Sequence, residues 1–113
     1  MSNEQSAKAN KLFELSFDAE TTRQHKIDEF SRIYVKEVRP HGKYEWYFSR
    51  YNYGRVFRFA KSMYAKYVYD QGTLTAGELS VILAAMYDAR RAPTEDAFLS
   101  FMRQHQANKN KEG

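Results

Sequence analysis

The sequence predicts a mainly α, small single-domain helical bundle of four to five helices. Three observations carry that reading: a length of 113 residues, 42% hydrophobic residues, and apolar residues recurring at helical spacing from residue 52 onward. Residues 1–113 read as one domain, with ends expected to fray at about 1–5 and 106–113, where the sequence is polar.

From the N-terminus, Ala9, Leu12, Phe13 and Leu15 share one face of a short first helix over 6–16. Asp18 then suits an N-cap, and Ile27, Phe30 and Tyr34 form the i, i+3, i+7 stripe of a second helix. The segment 32–49 divides the evidence. A short β-hairpin, 32–38 paired with 43–49, fits slightly better than two helices, because β-branched and aromatic residues dominate both arms. Tyr44, Trp46 and Phe48 alternate with polar neighbours, and Pro40 with Gly42 supplies the turn.

The C-terminal half is less ambiguous. Val56, Phe59, Ala60, Met63, Tyr64, Tyr67 and Val68 make a nearly unbroken stripe, with Asn52 as its N-cap and Gly72 as its C′ glycine. Thr75 and Glu78 form a capping box for a helix whose Leu79, Ile82, Leu83 and Met86 face inward. Arg90 and Arg91 fall in its last turn, where positive charge suits the helix dipole, and Pro93 ends it. Thr94 caps the final helix, which buries Phe98, Phe101 and Met102.

Composition narrows the function. The chain has no cysteine, so disulfides and thiolate metal sites are excluded. Its N-terminus lacks the apolar core of a secretory signal, and its mean hydropathy is −0.78, so a cytoplasmic protein with no membrane partner is expected. His25, His41 and His105 are scattered, with His41 read as a turn residue and His105 as a solvated one; no metal or cofactor is expected. The chain carries no nucleophile elbow, zincin motif or phosphate loop, so an enzyme is not expected. A helix-turn-helix is disfavoured because Glu95 and Asp96 would face phosphates at the start of its recognition helix.

What remains is a basic, aromatic centre. Net charge is +4 overall but +7 within residues 23–66, and twelve of the eighteen aromatic residues lie within 34–69. Arginine and lysine on a regular face can follow a phosphate backbone, and exposed rings beside them can stack bases. The candidate site is Trp46, Arg50, Tyr51, Tyr53, Arg55, Arg58, Lys61 and Lys66, with Tyr51, Tyr53 and Tyr69 expected to be partly exposed. Its expected partner is nucleic acid or, alternatively, an acidic protein surface, as for a small inhibitor or adaptor of the kind mobile elements encode, because Trp, Tyr and Arg are also the residues of interface hot spots. The plainer alternative for the basic arc is the solvated exterior of an amphipathic helix.

Overall fold

Residues 2–38 and 42–112 are described by a computed structural model, with side chains omitted for 2–18, Val38, Lys43 and 110–112. The order of elements is α1 (Ser2–Val38), a 3-10 turn (Gly42–Tyr44), α2 (Glu45–Tyr51), α3 (Tyr53–Met63) running on into a π-helical segment (Tyr64–Asp70), α4 (Ala76–Asp88) and α5 (Glu95–Glu112). The protein is a small helical single domain, and no strand occurs among the described residues.

Two expectations are corrected. The first two helices are one: α1 passes through Asp18 without a break. No glycine or proline lies within it, and the serine and aspartate near its middle lower helix propensity by only about 0.5 kcal/mol each. At 37 residues it is about 55 Å long, which accounts for a molecule of 64 × 35 × 21 Å.

The β-hairpin over 32–49 does not form either. Residues 32–38 complete α1, and Glu45–Tyr51 are helical; of the turn expected through Pro40 and Gly42, Pro40 and His41 lie outside the described residues and Gly42 opens the 3-10 turn. Tertiary packing outweighs strand propensity in both arms. Tyr34 has to lie on the same side of α1 as Ile27 and Phe30, and all three are buried. In the second arm Tyr44, Tyr47, Phe48 and Tyr51 face the core at i, i+3, i+4, i+7, while Trp46 points outward.

The core forms where the stripes of α1, α3, the π segment, α4 and α5 meet. Val56, Leu79, Leu83, Met86 and Phe98 are fully enclosed. Phe98 stacks on Tyr67 at 5.3 Å and meets Phe59 edge-on, and Phe30 stacks on Tyr64 at 4.2 Å. Arg23 of α1 grips Asp70, at the end of the π segment, through two bonds of 2.9 Å.

The helix ends follow the expected chemistry. The Asn52 side chain accepts the Gly54 N–H at 2.9 Å, and Gly72 adopts φ 66° just past the π segment. The capping box is complete: Glu78 N–H donates to Thr75 Oγ1, and Thr75 N–H donates to Glu78 Oε1, both at 3.1 Å. Glu78 Oε2 also lies 3.3 Å from His105 Nε2 and 3.2 Å from Lys109 Nζ. His105 is therefore half-buried and bonded to α4, not solvated as its sequence position implied.

Candidate nucleic-acid interface

α2 is short because its core contribution is one turn of rings, and Asn52, at φ 71°, turns the chain directly into α3. This tight junction brings Arg50 and Arg55, five residues apart, to the same ring: their guanidinium carbons lie 5.4 and 6.0 Å from the centre of Tyr51. Tyr51 in turn meets Trp46 edge-on, with ring centres 6.3 Å apart.

A third guanidinium comes from the far end of the chain. α4 does not extend to Arg90 and Arg91; it ends at Asp88 and closes in a Schellman turn. Arg90 N–H donates to the Tyr87 carbonyl at 3.1 Å, and Arg91 N–H donates to the Met86 carbonyl at 3.0 Å. The left-handed position of this turn favours glycine, yet it is occupied by Arg90 at φ 56°. The conformation places the Arg90 guanidinium 4.3 Å from the centre of the Trp46 ring. Hydroxyls from α2 hold the turn in place: Tyr47 donates to the Arg91 carbonyl at 2.6 Å, and Tyr51 reaches the Arg90 carbonyl at 3.5 Å. Burial pushes the Tyr47 hydroxyl well above the usual phenol range, so it is a donor at any ordinary pH.

The eight expected site residues fall into two groups. Trp46, Arg50, Tyr51 and Arg55 come together, with Trp46 43% exposed, whereas Tyr53, 37% exposed, lies against Phe48 and Phe57 with ring centres 5.2 and 6.2 Å away. Tyr51 and Tyr69 are half-buried, so all three tyrosines expected at the surface reach it. Arg58 is exposed one turn further along α3. No carboxylate lies within ion-pairing distance of Arg50, Arg55, Arg58, Arg90 or Arg91 among the described residues.

Lys61 and Lys66 are different. Lys61 lies 3.6 Å from Asp28 of α1. Lys66 pairs with Glu95, which also accepts a bond of 2.8 Å from the Tyr67 hydroxyl. The hydrogen bond from Lys66 to Glu95 raises the Lys66 pKa, and the bonds from Lys66 and then Tyr67 lower that of Glu95. These two lysines tie helices together, and their charge is already partly neutralised.

The helical reading of the sequence does not bring Arg90 to Trp46, nor Arg91 to Phe101, where its guanidinium carbon lies 5.9 Å from the ring centre. Once they are read as lying beyond the helix end, the remaining sequence signal is weak, because nothing local links residue 90 to Trp46. Among the described residues there is no cluster of metal-ligating side chains, and no helix is long and apolar enough to cross a membrane. The chain matches no family model, and neither the curated proteins nor the solved structures give a match.

Proposed function

We propose that this is a non-enzymatic nucleic-acid-binding protein whose interface is the arginine–aromatic surface of α2, the start of α3 and the α4–α5 turn. The observation that carries the reading is the gathering of Arg50, Arg55 and Arg90, none with an ion-pair partner among the described residues, on the touching rings of Tyr51 and Trp46, with Arg58 and Arg91 exposed further along α3 and the α4–α5 turn. A guanidinium lying over a ring keeps its in-plane N–H donors free, so Arg50, Arg55 and Arg90 are oriented to grip phosphate oxygens while the rings limit their motion. The exposed part of Trp46 is positioned to meet bases or sugars beside those phosphates, and the exposed Tyr53 ring at the start of α3 offers a second stacking surface.

Five phosphate contacts correspond to a slope of log K against log salt of roughly −3.5 on a single strand and −4.5 on a duplex. Fluorescence anisotropy of labelled oligonucleotides across a salt series measures this directly. Trp46, the single tryptophan, reports contact at the patch by its own emission. R50E/R55E/R58E alters exposed or ring-borne charges only, so it is expected to fold normally and lose binding. Failure of the wild type to bind DNA or RNA at low salt would refute the proposal, as would binding unaffected by the triple substitution.

The same patch also has the composition of a protein hot spot, with two exposed aromatic rings among arginines. An acidic protein partner predicts a shallower salt slope and a pull-down that survives nuclease treatment.

A further inference from the structure

Four large hydrophobic residues are exposed among the described residues: Trp46, Tyr53, Ile33 and Val81. Trp46 belongs to the arginine patch, and Tyr53 lies against Phe48 and Phe57 at the start of α3. Ile33, 50% exposed, lines a groove of about 380 Å³ between α1 and the first turn of α4, and Val81, 57% exposed, follows the groove residue Ser80. On the α4 side the wall is low, being made of Ala76, Gly77 and Ser80, and a side chain added at Gly77 would meet only Thr75, at 3.9 Å. α1 contributes Lys26, Glu29, Phe30, Ile33, Tyr34 and Glu37.

We infer that this groove is a self-association surface, filled by α1 of a second copy of the chain running antiparallel. The reason is the charge pattern. The α1 residues of the groove are symmetric about the midpoint between Ser31 and Arg32. An antiparallel copy therefore sets Lys26 against Glu37, Phe30 against Ile33, and Glu29 beside the Tyr34 position, each of them twice. A parallel copy would set Lys26 against Lys26 and Glu37 against Glu37, so the charges select one orientation. Lys26 and Glu37 are exposed and have no ion-pair partner among the described residues, which leaves both available. Between the charged ends, Ile33 of each copy enters the groove of the other and covers the Phe30–Tyr64 stack. None of these residues belongs to the arginine patch.

Sedimentation equilibrium of the full chain at low salt is the test. The wild type is expected to rise with concentration from 13.3 kDa toward twice that mass. K26E and E37K each place like charges together at both ends and should weaken association at least about tenfold. The exchange K26E/E37K restores opposite charges and should recover most of it. I33E, at an exposed position, should weaken association without lowering thermal stability. A wild type that stays at 13.3 kDa up to about 1 mM overturns the inference. So does an oligomer indifferent to K26E and I33E, or an exchange variant no better than K26E alone.

Discussion

Glu78 joins the cap of α4 to α5, and replacing it has a calculable cost. One oxygen completes the N-terminal cap of α4, and the other meets His105 and Lys109 of α5, so a single side chain joins two helices. Removing its half of the capping box by E78A costs about 1 kcal/mol. The two part-exposed contacts to α5 add from a few tenths to about 1 kcal/mol more. The total of about 1–2 kcal/mol lowers Tm by roughly 4–8 °C in a chain of this size. E78Q retains the cap and loses only the charge, so it should recover about half of that loss. The pH dependence has a definite sign. The Thr75 N–H, followed by Lys109, holds the Glu78 carboxyl at about 2, well below the ordinary value of about 4.3. A depressed folded pKa contributes stability that is complete above the unfolded pKa and lost as pH falls from about 4.5 to about 2. The stability gap between wild type and E78Q should therefore be widest above pH 5 and close near pH 2. Circular dichroism melts of the three proteins between pH 2 and 7 measure both effects. An E78A variant as stable as wild type at pH 7, or a gap that widens on acidification, refutes this account.

Arg90 offers a separation of stability from binding. R90A keeps the left-handed strain and loses the contact with Trp46, whereas R90G relieves the strain, so R90G should be more stable than R90A by about 1 kcal/mol in urea titrations. Both should weaken oligonucleotide binding to the same extent, because each removes one guanidinium from the patch. The buried hydroxyls of Tyr34 and Tyr87 bond to each other across α1 and α4, and burial raises the Tyr87 pKa far above its usual range. Y87F strands the Tyr34 hydroxyl and should cost about 1–3 kcal/mol, while Y34F/Y87F should be less destabilised than either single variant by chemical denaturation.

Much of this fold is legible in the sequence because it is encoded locally. The capping box at Thr75 and Glu78, the Asn52 cap and the glycine past the π segment each act within a few residues, and each is found where the pattern places it. The stripe from Val56 to Tyr67 is buried or half-buried throughout. The segment 32–49 is ambiguous in sequence because strand alternation and helical spacing both fit its aromatic residues. The spacing of Tyr44, Tyr47, Phe48 and Tyr51 favours a helix, while Tyr44, Trp46 and Phe48 favour a strand; burial of Tyr47 decides between them.

The candidate site divides along the same line. By itself the sequence determines that a helical chain without cysteine concentrates basic residues within 23–66 and aromatic residues within 34–69, since composition and spacing are local properties. Tertiary structure alone decides which charges are spent. Asp28 and Glu95 arrive from other helices to neutralise Lys61 and Lys66, and the turn after α4 carries Arg90 onto Trp46, forty-four positions earlier in the chain. Charge pairing and ring contact depend on distance in space, and only the packing of α1, α4 and α5 around the core sets those distances.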